Sequence, residues 1–351
     1  MVKKVRGNSL FSSDIGIDLG TANTLVYVRG KGIVMNEPSV VAVNDKTGQV
    51  VAVGKEAKVM LGKTPPHIRA VRPLSHGVIS DFEVTQELLG YLITKASGGR
   101  ARLFGPRVVV GVPTGVTNVE SRAVRDAAMT AGAREVYIIE EPTAGAIGAK
   151  LPITAAQGTM VLDIGGGTTD IAVLALGGTV ASKSSQVAGD RFNENIIDYV
   201  RSEFQLAIGE RTAEDVKIDI GAVLPLDEPM EKAIRGRDLA TGLPREIILT
   251  DTHVREALAA SLDSLMEAMK EVIEKTPPEL LSDVLEHGVT VFGGGAQLRG
   301  LPELLAKMLG VPVHVASDPL TAVVRGTGIV TEDPRAWGEI FMHEEAILTK
   351  R

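Results

Sequence analysis

Asp163-Ile164-Gly165-Gly166-Gly167-Thr168-Thr169 repeats a pattern already present at Asp18-Leu19-Gly20-Thr21-Ala22-Asn23-Thr24. Each copy follows a β-rich run, Ile15-Gly16-Ile17 in the first and Met160-Val161-Leu162 in the second. Each also precedes one, Leu25-Val26-Tyr27-Val28 and Ile171-Ala172-Val173-Leu174. Strand, acidic residue, glycine turn with hydroxyls, strand: this order describes a β-hairpin whose tip can wrap an anion. One such turn alone is no more than a connection. Three consecutive glycines, however, lose much backbone entropy on folding, so they imply more than a link. They let main-chain N–H groups approach an anion with no Cβ in the way, and Thr168 and Thr169 add hydroxyl donors. Two such hairpins predict two related half-molecules gripping one polyphosphate from opposite sides.

The acidic residue ending each first strand fits that chemistry. A carboxylate beside a phosphate repels it unless a cation lies between them, and Mg²⁺ favours one or two carboxylates with waters and phosphate oxygens. Asp18 and Asp163 are therefore the expected magnesium ligands. A third cluster, Gly293-Gly294-Gly295-Ala296-Gln297, follows the apolar run Val289-Thr290-Val291-Phe292 and leads through Gly300-Leu301-Pro302 into a helical segment, Glu303–Leu309. Strand, glycine turn and helix start let a backbone pass close under a sugar or base, so this turn is expected on the adenosine side. Gly62-Lys63-Thr64 resembles the end of a P-loop, but the earlier glycine position is Ala57 and the lead-in is charged, so that reading fails.

Composition bounds the rest. The 351 residues suffice for two domains, and 44% hydrophobic with 23% charged residues is a globular balance. No run approaches the ~18–20 apolar residues that span a bilayer, and no secretory signal precedes the first strand. With no cysteine, thiol chemistry, disulfides and cysteine-based metal sites are excluded, and a cytoplasmic location is expected. A net charge of −7 with 3% aromatics lacks the basic stripe and stacking rings of a nucleic-acid binder. The six histidines show no metal-ligand spacing.

Along the chain, Ser39–Val43, Val50–Val53 and the very apolar Arg107–Val112 read as strands, the last a buried central one. Thr117 or Asn118 caps a helix running to about Ala131, where Gly132 stops it. Tyr137-Ile138-Ile139 is a strand, followed by Glu140-Glu141-Pro142 and a small-residue helix over Thr143–Lys150. Residues 151–158 read as a linker. Asp190–Ala207 and Ala213–Ile220 are expected helices, residues 221–250 a polar β-containing insertion, irregular over 226–236. The longest helix runs from about Thr252 to Lys275, capped by Thr250 or Asp251 and ended by Thr276-Pro277-Pro278. Strands alternating with helices predict an α/β fold with mixed sheets in two similar halves. Lobe I is expected over 1–152 plus 318–351, and lobe II over 153–317 with a peripheral subdomain at about 191–253.

These hairpins, the connecting helix and the adenosine-side turn, in this order, resemble the actin / heat-shock chaperone / sugar kinase ATPase superfamily. Within it, Ile17-Asp18-Leu19-Gly20-Thr21-Ala22-Asn23-Thr24-Leu25, Gly32-Ile33-Val34-Met35-Asn36-Glu37-Pro38-Ser39, Ile139-Glu140-Glu141-Pro142, Gly209-Glu210-Arg211-Thr212-Ala213-Glu214 and Thr276-Pro277-Pro278-Glu279-Leu280 resemble the MreB family. These are the bacterial actin-like proteins of rod-shape determination, and the resemblance covers about residues 14–330. It implies an actin-like ATPase fold of two duplicated lobes with ATP and Mg²⁺ in the cleft between them. Gly20, Thr21, Ala22 and Asn23 would contribute from the first hairpin, and Gly165, Gly166, Gly167 and Thr168 from the second. Glu214, Lys217, Gly294, Gly295, Ala296 and Gln297 would hold base and ribose. It further implies self-assembly into antiparallel double protofilaments on the inner face of the cell membrane, with lipid and cell-elongation membrane proteins as partners. One departure stands out: the family's second hairpin often ends in Glu, where this chain has Asp170.

Phosphoryl transfer to water depends on positioning and charge stabilisation. A residue entering the connecting helix and facing the γ-phosphate should orient the attacking water. Glu141 is the first candidate, Glu140 the second, with Thr168 as a secondary positioning group. Leu103-Phe104, flanked by Arg100, Arg102 and Arg107, is expected to dip into a membrane interface, as a loop at the same positions does in the resembled family. Lys3-Lys4-Val5-Arg6 with Leu10-Phe11 forms a second weak anchor, multiplied by avidity along a filament. Two rivals remain. A small-molecule kinase on the same scaffold needs a general base and an acceptor pocket. A chaperone-type ATPase needs a peptide-binding module for which the chain is expected to leave no room.

Overall fold

Arg107–Val112 is buried along almost its whole length, which requires cover on both faces and partners on both edges. In the computed structural model, which describes residues 14–98 and 105–342, it lies inside a five-stranded sheet. The strand order is Gly32–Pro38, Asn23–Val28, Ile15–Leu19, Arg107–Val112, Glu135–Glu140. The first three form an antiparallel meander, while Arg107–Val112 runs parallel to Ile15–Leu19 and Glu135–Glu140 parallel to it. Parallel neighbours need long crossovers, and the helices Phe82–Ala96 and Asn118–Thr130 lie in them. Leu88, Leu89, Leu92 and Ile93 on the first helix are fully buried in one cluster with Ile15, Ile17, Val108 and Val110 of the sheet. The second starts on a reciprocal cap. Thr117 accepts from the Glu120 backbone N–H, and the Glu120 carboxylate accepts from the Thr117 N–H at 2.7 Å.

A second five-stranded sheet repeats this plan. Its order is Gly178–Ser185, Thr169–Ala175, Thr159–Ile164, Val289–Phe292, Val313–Val315, again a three-strand meander followed by two parallel strands. The two hairpin motifs occupy the same place in the two sheets, at the tip between the first and second strand. The two similar halves expected from the repeated motif are thus present as two sheets of one topology. Contacts group residues 14–112, 116–144 and 323–342 into one compact unit, and 113–115 with 145–322 into the other.

The second unit carries a peripheral three-stranded sheet of Leu206–Ala207, Glu231–Asp238 and Pro244–Thr250. Two sequence expectations are corrected here. The helix expected to reach Ala207 ends at Phe204, because Gln205 turns left-handed (φ 50°) and the short strand Leu206–Ala207 follows. The segment read as irregular over 226–236 becomes a regular paired strand from Glu231 onward. Among its eight residues only Ile234 and Asp238 are buried, so charge on the exposed positions hides the period-2 pattern. The long helix spans Asp251–Lys275 with Thr250 as its cap, and Leu258, Leu262, Leu265, Met269 and Val272 form its buried stripe.

Leu103 and Phe104, with Arg100 and Arg102, lie outside the described residues, as do Lys3, Lys4, Arg6, Leu10 and Phe11. Among the described residues no helix is long and apolar enough to cross a membrane.

Candidate functional site

Neither Gly20 nor Gly165, Gly166 or Gly167 adopts a positive φ. What the turns require is space. A Cβ on Gly20 would stand 2.6 Å from the Asn23 carbonyl oxygen, and one on Gly165 would stand 3.2 Å from that of Thr168, the matching residue. The first turn therefore closes so tightly that its first position excludes a side chain, while the second leaves a side chain there a tight fit.

In the first turn Thr21 is buried, and its hydroxyl accepts from the Gly77 N–H at 3.1 Å. Its side chain is thus engaged with its own unit, leaving the main chain as what Thr21 can offer a ligand. Gly20 and Ala22 are half-buried and Asn23 is exposed. Ser39, fully buried, ties the turn from behind. Its Oγ donates to the Gly20 carbonyl at 2.5 Å and lies 2.8 Å from Thr24 Oγ1, and its N–H donates to the Ala22 carbonyl at 3.0 Å. The second turn is tied by main chain instead. The Gly165 carbonyl accepts from Gly189 N–H at 3.1 Å and the Gly166 carbonyl from Asp190 N–H at 2.7 Å, while the Gly165 N–H donates to Thr168 O at 2.9 Å. Thr169 Oγ1 donates to the Val187 carbonyl at 2.6 Å. Thr168 is buried beside it.

Lys217 and Glu214, three residues apart on the helix Glu210–Ile220, are both half-buried. Lys217 Nζ donates to the Gly189 carbonyl at 2.8 Å, which sets the ammonium beside the second turn. The adenosine-side cluster folds as a 3₁₀ turn, Gly294–Gln297, pressed onto the end of the strand Thr159–Ile164. Gly293 (φ 82°) leaves no room for a Cβ against Asp163 Oδ1 and the Ile164 carbonyl, nor does Gly295 against the Ile164 side chain. Ala296 faces the apolar core, so what it can offer a ligand is main chain; Gly294 and Gln297 are exposed.

Asp163 is buried, in register with Asp170 on one side and Phe292 on the other. Asp170, where the resembled family often has Glu, is 1% exposed and its Oδ1 accepts from the Thr114 N–H at 2.8 Å. The shorter acid thus anchors the Pro113–Gly115 loop to the second hairpin, within the same unit.

In the other unit Asp18 is in register with Gly111, itself in register with Ile139. Glu141 lies close to Gly111: a Cβ on Gly111 would stand 3.4 Å from Glu141 Cγ. The buried Glu141 starts the helix Glu141–Gly148, whereas Glu140 is half-buried at the end of its strand, in register with Val112. Glu141 thus stands over the same strand end as Asp18. Asp18 is half-buried, yet enclosed enough that desolvation pushes its carboxyl up to about 7. A carboxylate so poorly solvated by its surroundings suits an external cation. Among the described residues no group of three His, Asp or Glu could hold a metal by itself. Asp18 and Asp163, each a single carboxylate ending the first strand of its own hairpin, have the donor chemistry for Mg²⁺ that takes most of its shell from phosphate and water.

The sequence profile described as MreB/Mbl protein matches residues 12–339. The chain belongs to the MreB/Mbl family. Escherichia coli (strain K12) cell shape-determining protein MreB is 52% identical over 336 residues, covering 95% of this chain and 96% of that protein. The crystal structure of MreB5 of Spiroplasma citri bound to ADP superposes with a TM-score of 0.88 at 40% identity, covering 94% of this chain and 98% of the other. The MamK double helical filament follows at a TM-score of 0.76 and 25% identity, covering 92% and 99%. The fold of this MreB/Mbl chain is therefore the actin-like α/β fold. Membership in a family of cell shape-determining proteins favours the cytoskeletal reading over the small-molecule kinase.

What sequence reasoning missed in this MreB/Mbl chain are the residues behind the turns: Ser39, Thr24, Gly189 and Thr114. Their signal is weak because a buried hydroxyl or a helix-start glycine is common everywhere.

Proposed function

We propose that this chain is an ATP-hydrolysing, actin-like cytoskeletal protein that polymerises on the inner face of the cell membrane. It thereby organises wall synthesis and rod shape together with cell-elongation membrane proteins. The observation that carries this reading is the pair of Asp–glycine-turn hairpins on two sheets of one topology, in a family member 40% identical to an ADP-bound MreB5. The MamK filament supports self-assembly by a related chain.

In this mechanism the main-chain N–H groups of Gly20 to Asn23 and Gly166 to Thr168 cradle the phosphates, with the Gly165 N–H closing the second turn on Thr168 O. Glu214, Lys217 and the Gly294–Gln297 turn hold ribose and base. Asp18 and Asp163 would hold Mg²⁺, which when bound neutralises charge on the transferring phosphate. Glu141 accepts a hydrogen bond from the attacking water, aligned by Thr168, with Glu140 as the reserve candidate. Water oxygen bonds to the γ-phosphorus, the bond to the β–γ bridging oxygen breaks, and ADP and phosphate leave.

The test couples two readouts. Mg-ATP should cause the chain to sediment and to release phosphate, with no phosphorylation of small acceptors. Glu141→Gln should still bind ATP and sediment while releasing phosphate about 10²-fold more slowly or worse. Unchanged turnover would remove Glu141 from its role, and acceptor phosphorylation without sedimentation would revive the kinase.

Membrane attachment is assigned to Leu103 and Phe104, with the basic N-terminal segment as a second contact. The pair Leu103→Ser and Phe104→Ser should release filaments from anionic liposomes at least tenfold, with assembly in solution intact. Liposome co-sedimentation equal to that of the unsubstituted chain would refute the assignment.

A further inference from the structure

We propose that Ser39 is a positioning residue for nucleotide phosphate, acting through the carbonyls of the first turn; this deepens, and rests on, the nucleotide-binding reading above. Ser39 is fully buried, lies outside the hairpin, and reaches both ends of its tip. Its single hydroxyl proton is given to the Gly20 carbonyl. The contact with Thr24 must then run the other way, Thr24 Oγ1 donating to Ser39 Oγ.

The consequence follows from peptide geometry. In a planar trans peptide the C=O of one residue and the N–H of the next point in opposite directions. Holding the Gly20 carbonyl backward therefore directs the Thr21 N–H forward. Holding the Ala22 carbonyl on the Ser39 N–H does the same for Asn23. The second turn reaches the same state without a side chain, since Gly189 and Asp190 N–H groups hold the carbonyls of Gly165 and Gly166, directing the N–H groups of Gly166 and Gly167. Gly20 and Gly165 occupy the same position in the two motifs, and in both the carbonyl is anchored from behind. One turn uses a serine for what the other takes from the start of a helix, Gly189–Phe204. An anion nest held this way before binding needs no rearrangement when phosphate arrives, which is where preorganised donors gain affinity.

Calorimetry on the full chain tests this with two ligands, Mg-ATP and adenosine. Ser39→Ala should weaken Mg-ATP about tenfold, the loss expected for one buried hydrogen bond, and leave adenosine unchanged. Thr24→Val removes the same hydroxyl pair but leaves Ser39 on the Gly20 carbonyl. It should lower the melting temperature comparably while keeping the ratio of Mg-ATP to adenosine affinity. A merely structural role would move both ligands together, or make the two variants alike; either result overturns the proposal, as does unchanged Mg-ATP affinity in Ser39→Ala. Should Ser39→Ala not fold, Ser39→Cys, a weak donor of similar size, is expected to show the same selective loss at smaller size. Absence of Mg-ATP binding by the unsubstituted chain would instead sink the parent reading, and this one with it.

Discussion

Asp18→Asn is expected to stabilise the nucleotide-free chain at pH 8 while depriving it of Mg-nucleotide. In the folded protein burial pushes the Asp18 carboxyl up to about 7, against about 3.9 for an unfolded chain. The sign follows from linkage. A group whose folded pKa is raised contributes fully below the unfolded value and loses that contribution as pH rises through the folded value. For Asp18 the window is therefore about pH 4 to 7, and three units correspond to at most about 4 kcal/mol. Asn carries no charge to bury, so the variant should match the parent near pH 4 and exceed it above pH 7. Urea or thermal unfolding across that range, without nucleotide or magnesium, measures the divergence. Parallel pH profiles for the two proteins would mean that Asp18 is not held in a desolvated state. The same substitution should abolish Mg-nucleotide binding, so one carboxylate is costly to the empty protein and needed by the loaded one.

Gly326→Ala should cost more than about 3 kcal/mol, beyond the usual range for overpacking a core. A Cβ there would fall on the carbonyl oxygen of Ala144, with the Ala144 carbonyl carbon and Cα next nearest, so no side chain can swing aside. The helix Ala322–Glu332 would have to move off the helix Glu141–Gly148, taking Glu141 with it. Gly90→Ala is the control. Gly90 also lies inside a helix, Phe82–Ala96, but nothing stands within 4 Å of its missing Cβ. There alanine should stabilise by up to about 1 kcal/mol through helix propensity. Chemical denaturation of both variants decides the matter, and equal effects would show that the close helix crossing is not what Gly326 serves.

The two hairpins that build the candidate site were legible because a strand, a tight turn and a second strand are written within a few residues. Asp18 and Asp163 at strand ends, with their glycine turns, are contiguous motifs, and contiguity is what a single sequence displays. The strand Val50–Val53 was legible for the same reason, and the caps were narrowed to Thr117 or Asn118 and to Thr250 or Asp251, of which the fold uses Thr117 and Thr250. The strand Glu231–Asp238 escaped notice because six of its eight side chains are not buried, so no apolar period marks it. Ser39 escaped because its partners Gly20, Ala22 and Thr24 lie some 15 to 19 positions away and are met only after the hairpin closes.

By itself the sequence determined the duplicated α/β plan, the acidic residues at the hairpin stems and the family, because each is encoded by neighbours in the chain. Tertiary structure alone decided which carbonyls are anchored, that Glu141 stands over Gly111 beside Asp18, and that Gly326 meets Ala144 backbone to backbone. Those facts depend on elements far apart in the chain approaching within a few ångströms, and the energy of a buried carboxylate or an excluded methyl group exists only once they have done so.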